Sequence, residues 1–100
     1  MESKKLDEST HIIYRTHAVK RMFQRNVNET DVRNILMQGE TIEAYVDDKP
    51  YPSRLILGWI SERPIHVVAA DNAVDNEIIV VTVYEPDTEK WSVDFKRRIL

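Results

Sequence analysis

The residues best suited to chemistry form the stretch His17-Ala18-Val19-Lys20-Arg21-Met22-Phe23-Gln24-Arg25. In a helix each side chain turns about 100° from the last. Ala18, Val19, Met22 and Phe23 then share one arc, which is expected to face the core. His17, Lys20, Arg21, Gln24 and Arg25 take the opposite arc. His17, Arg21 and Arg25 are spaced by four and stack as one stripe. Guanidinium forks match phosphate oxygens, and a histidine titrates near neutral pH, so this stripe suits a phosphate-handling site. An amphipathic helix with a solvated basic face is the simpler alternative.

A second group comes from strand parity. In the apolar run from Glu77 to Glu85, Ile78, Val80, Thr82 and Tyr84 point one way, and Ile79, Val81 and Val83 the other. His66 shares a face with Val68 and Ala70. If the register allows, His66, Thr82 and Tyr84 converge from adjacent strands. The alternative is a half-buried His66 and a Tyr84 at the core rim. No metal site or cofactor is expected: the three histidines are dispersed, and Asp47-Asp48 lies in a proline-rich turn. Glycine-rich phosphate loops, Gly-x-Ser-x-Gly elbows and His-Glu-x-x-His are all missing. What remains is acid–base chemistry on a phosphate ester without a metal.

The elements that must position these groups read clearly. Residues 1–10 form a polar leader expected to be flexible, and residues 11–100 a single α+β domain. His11 to Tyr14 reads as a first short strand. Thr16 is placed to cap the first helix, which Asn26 stops in a left-handed turn. Asn28 caps a second helix with Glu29 and Asp31 in its first turn, Val32, Ile35 and Leu36 as its apolar stripe, and Gly39 at its close. Strands follow at 41–46, 53–60, 65–70 and 77–85, the last taken as central. Short connections make them antiparallel neighbours. Thr88 opens a short C-terminal helix with Trp91 and Phe95 on one face. The expected fold is two N-terminal helices on an antiparallel sheet of four to five strands, closed by that helix.

Composition narrows the class. The chain is 42% hydrophobic and 31% charged, with no cysteine, and no apolar run approaches a membrane span. No membrane partner and a cytoplasmic location are expected. The net charge of −3 is unevenly spread: +2 over residues 1–39, −7 over 40–90 and +2 over 91–100.

The blocks His17-Ala18 with Arg21-Met22 and Arg25, Gly39-Glu40, Tyr45, Pro50-Tyr51-Pro52-Ser53, Arg63 to Val68, and Thr82-Val83-Tyr84-Glu85-Pro86 with Trp91 resemble a family of small bacterial proteins known as a domain of unknown function. That family is similar in outline to the RelE-like and BrnT-like ribonuclease toxins of the barnase–RelE fold group. The resemblance implies metal-independent RNA cleavage, in which the 2′-hydroxyl attacks phosphorus and the 5′-oxygen leaves. His17 would be base or acid and Arg21 the phosphate clamp. Tyr84 or His66 would be the second proton-transfer group, Thr82 would orient the phosphate and Arg25 would bind a flanking one. It also implies an RNA substrate and a neutralising antitoxin, sometimes with a zinc-finger module. The sequence pI near 5.6 departs from the basic character of many such toxins. A non-catalytic RNA- or protein-binding module is the alternative function. A homo-oligomer joined through a sheet edge or the Trp91/Phe95 tail is a further one.

Overall fold

The computed structural model describes residues 6, 7 and 9–100. Two helices and five strands follow in the order β1 (His11–Tyr14), α1 (Thr16–Gln24), α2 (Glu29–Gln38), β2 (Glu40–Tyr45), β3 (Ser53–Ile60), β4 (Arg63–Asn72) and β5 (Glu77–Tyr84). The strands form one sheet in the order β1-β5-β4-β3-β2.

The sheet is mixed, which corrects the expected antiparallel one. β2 to β5 are antiparallel neighbours, but β1 runs parallel to β5, with Ile12 opposite Ile78 and Tyr14 opposite Val80. No hairpin links β1 to β5, so loop length leaves their direction open, and β1 adds to the edge of a sheet whose other strands are hairpin-linked. The central strand is β4, not β5.

The expected C-terminal helix is also absent. Residues 90–99 double back instead: Ile99 donates its N–H to the Lys90 carbonyl, and Ser92 to that of Arg97. Phe95 closes the turn at φ 63. That left-handed conformation costs a bulky residue on the order of 1 kcal/mol or more and cannot continue a right-handed helix.

Both helices pack on one face of the sheet. Asn28 and Asp31 form a reciprocal capping box at the start of α2. The end of α2 approaches β3 so closely that a Cβ on Gly39 would lie 2.7 Å from Ile56 Cγ2, and one on Gly58 2.5 Å from Ile35 Cγ1. Val32, Ile35 and Leu36 therefore settle directly onto Ile56 and Ile65, each such side chain contributing roughly 1.5–3 kcal/mol by burial.

α1 differs from expectation at both ends of its argument. Its N-cap is Arg15, with no side-chain hydrogen bond, so Thr16 is the first helical residue and not a cap. Only Ala18 and Met22 are buried, while Val19 is 51% and Phe23 89% exposed. α1 packs on β5 near the sheet edge and presents a narrower contact stripe than its apolar arc. Asn26 stops the helix at φ 57.

Of the leader, residues 1–5 and 8 lie outside the described residues. Leu6 packs against the core, and Thr10 is buried in a turn closed by Asp7. No helix among the described residues is long and apolar enough to cross a membrane.

Candidate functional site

The face of the sheet opposite the helices carries the candidate residues of β4 and β5. Along β4 it presents His66, Val68 and Ala70, while Ile65, Val67 and Ala69 enter the helix-side core. In β5 a bulge interrupts simple alternation: Val68 pairs with Thr82, but Ala69 pairs with Val80, leaving Val81 extra. Val80 and Val83 consequently both face the core. Thr82 and Tyr84 lie on the open face with Ile79, not on the face of Ile78 and Val80 that strict alternation gave them.

His66 and Tyr84 are direct cross-strand partners. His66 Nδ1 lies 3.1 Å from the Tyr84 hydroxyl, and Nε2 lies 2.9 Å from the Phe95 carbonyl. A carbonyl only accepts, so Nε2 carries the proton, Nδ1 is the acceptor, and Tyr84 donates to it. The histidine is fully buried. Trp91 stands edge-on to it at 4.4 Å between ring centroids, and Tyr84 at 5.2 Å. Burial pushes His66 below the ordinary histidine range, and it pushes the Tyr84 phenol up. At neutral pH the pair is an uncharged imidazole and an intact phenol.

The C-terminal segment completes this end of the face. Trp91 is buried, the Phe95 ring meets Trp59 edge-on at 5.9 Å, and Lys96 pairs with Glu40 at 3.0 Å. Arg98 lies over the Trp91 ring, 4.7 Å from its centroid. Its charge opposes, without cancelling, the upward shifts that burial gives Tyr84 and Tyr45. Tyr45 donates its hydroxyl proton to Glu43 on the same edge strand. Desolvation and that bond push Tyr45 up to about 12.

The candidate residues thus separate. His66 and Tyr84 touch, and Thr82 shares their face. His17 lines a different part of that face, in a cleft with Val68, Ala70, Ile79 and Val81. The Arg21 guanidinium lies 3.5 Å from Gln24 on its own helix. Arg25 is exposed, and its carbonyl accepts from Arg63 at 2.7 Å. Among the described residues no hydrogen bond or ion pair joins His17, Arg21 or Arg25 to the His66–Tyr84 pair. Glu43, Tyr45 and Arg98 join the site unforeseen. Glu43 and Tyr45 are two apart on one strand, a parity signal available in the sequence, whereas the position of Arg98 depends on the tail's reversal. Among the described residues no group of three or more histidine and carboxylate side chains is placed to hold a metal ion.

No curated protein and no solved structure matches the chain. Residues 14–85 match a family profile that takes in His17, Arg21, His66, Thr82 and Tyr84 and leaves out the tail that seals the site. The chain therefore belongs to the family described as Domain of unknown function (DUF4258).

Proposed function

We propose that this protein is an endoribonuclease that cleaves RNA without a metal ion, in the manner of the RelE-like and BrnT-like toxins it resembles. The observation that carries the reading is the chain of hydrogen bonds from the Phe95 carbonyl through His66 to the Tyr84 hydroxyl. It has the logic of an oriented base: an acceptor behind the imidazole selects its tautomer, and the free nitrogen receives a proton from the hydroxyl in front. In this reaction the ribose 2′-hydroxyl gives its proton to the Tyr84 oxygen as Tyr84 passes its own to His66 Nδ1. The 2′-oxygen bonds to phosphorus, the bond to the 5′-oxygen breaks, and a 2′,3′-cyclic phosphate remains. Arg98 neutralises charge on the equatorial oxygens, Thr82 orients the phosphate, and Tyr45 turns its proton from Glu43 to the leaving oxygen.

His66 has no exposed surface and acts through Tyr84. That same burial favours a second reading, in which the face binds RNA or an acidic protein segment and breaks no bond. A small neutralising partner protein belongs with the toxin reading, and the exposed Val93, Ile99 and Leu100 of the tail offer it apolar anchors.

The test is incubation of single-stranded RNA with purified protein in excess EDTA. Cyclic-phosphate ends should form, and the matching DNA should stay intact because it lacks the 2′-hydroxyl. RNA that stays whole, both with and without ribosomes, excludes the ribonuclease reading and leaves the binding module.

A further inference from the structure

The open face continues past Tyr84. Toward the other end of β4, a cleft of about 480 Å³ opens between the Arg15–His17 corner, where β1 turns into α1, and the loop joining β2 to β3. This is within the ~300–1,000 Å³ range of small-ligand sites. Its floor is apolar, made by Val68, Ala70, Ile79 and Val81, and Tyr51 contributes an aromatic wall. Arg15, His17 and Lys49 also line it. None of these three makes a side-chain hydrogen bond or ion pair among the described residues. The single acid in the lining, Asp48, already accepts the Ser53 hydroxyl at 2.5 Å.

An apolar floor, an aromatic wall and the unpaired Arg15 and Lys49 match a stacked base with its phosphate. The position fits as well. His66, Val68 and Ala70 follow one another on one face of β4, so the floor begins about 7 Å from His66 and ends about 13 Å away at ~3.3 Å per residue. The neighbouring nucleotide of an extended strand covers that separation. A folded duplex would present its phosphates outward and keep its bases from the apolar floor.

We propose that this cleft is a subsite for the base and phosphate of a nucleotide flanking the scissile one, so that single-stranded RNA lies along the open face. The placement rests on the ribonuclease reading above, but binding at the cleft is measurable without cleavage.

The probe is a fluorescent 2′-O-methyl RNA tetranucleotide, which cannot be cut, compared with the corresponding dinucleotide by anisotropy. Wild-type protein should bind the tetranucleotide about tenfold or more tightly than the dinucleotide. Tyr51→Ala, Arg15→Ala and Lys49→Ala should each remove most of that advantage. Arg15 and Lys49 are exposed, so those two variants keep the test valid even if Tyr51→Ala folds poorly. On cleavable RNA the Arg15 and Lys49 variants should raise KM and leave kcat unaltered. Equal affinity for the two lengths, or a length advantage that survives all three substitutions, would overturn the subsite. Tetranucleotide binding that depends on these residues, with no cleavage at any pH, upholds the subsite while removing the ribonuclease.

Discussion

The two faces of the sheet solve opposite problems. On the helix side, α1 and α2 cover Ile56, Ile65, Val67, Ala69, Val80 and Val83. Arg54, itself buried, bonds both oxygens of Asp71 there at 2.9 and 3.3 Å and reaches Thr41 at 3.5 Å, while Arg63 on the same face of β4 gives one N–H to the Arg25 carbonyl and keeps its buried Nε without a hydrogen bond. The open face is only partly roofed by the tail. Among the described residues its Arg15 and Lys49 make no ion pair, and His66 is held by a residue in a strained conformation. The helix side ties its buried Arg54 into an ion pair under a continuous apolar core, whereas the open side leaves the Arg15 and Lys49 charges unpaired beside an apolar floor.

The largest effect expected from breaking this contrast is on activity. Tyr84→Phe removes only the hydroxyl, and RNA cleavage should fall by about 10²–10⁴-fold. Its unfolding free energy should fall by about 1–3 kcal/mol, because the buried His66 Nδ1 loses its donor, read from urea titration. A variant that cleaves normally would show that the open face does no proton transfer.

Arg54→Ala should have the largest effect on stability, about 3 kcal/mol, because it leaves the Asp71 carboxylate partly buried and unpaired. Cleavage by the fraction that remains folded should be unchanged. Next is Gly58→Ala, whose new Cβ meets Ile35 at 2.5 Å. Shifting α2 to accommodate it should cost about 1–3 kcal/mol, visible as a lower Tm with the cleavage chemistry intact. If either substitution abolished turnover in still-folded protein, the division between the faces would be wrong.

The smallest effect is a pH dependence. The folded-state pKa of His66 is depressed by burial, whereas the unfolded chain takes up that proton near the ordinary value of about 6.5. Between the folded value and 6.5 the unfolded state therefore binds more protons, and stability rises with pH across that window. His66 thus contributes fully above about pH 6.5, and the contribution is lost as pH falls through its folded pKa. Urea midpoints of wild type and His66→Gln across this range should show a shallower slope for the variant. Equal slopes would mean that His66 is not sealed under the tail.

Local elements were largely legible. Asn28 with Asp31 marked the start of α2, Gly39 marked its end, and the apolar runs marked β3 and β5, because caps and pleats are properties of neighbouring residues. His66 and Tyr84 were singled out as neighbours on adjacent strands, and their cross-strand contact is present, though on the face opposite the one that strict alternation gave Tyr84. Parity misassigned Val83, because a bulge depends on what the partner strand does and leaves no mark in the run itself.

What only the tertiary structure decided involves contacts between distant parts of the chain. The direction of β1 against β5, the width of the α1 contact and the reversal of the tail onto His66 all belong to this class. Val19 and Phe23 had the right spacing for a core face, yet α1 lies near the sheet edge, where Ala18 and Met22 suffice. Trp91 and Phe95 had helical spacing too, but Phe95 closes a turn whose carbonyl selects the tautomer of a histidine 29 residues away. The sequence by itself determined which residues can carry chemistry and which local elements they sit on. Their assembly into a site was decided by pairing and packing between remote segments, because those energies depend on which surfaces finally meet.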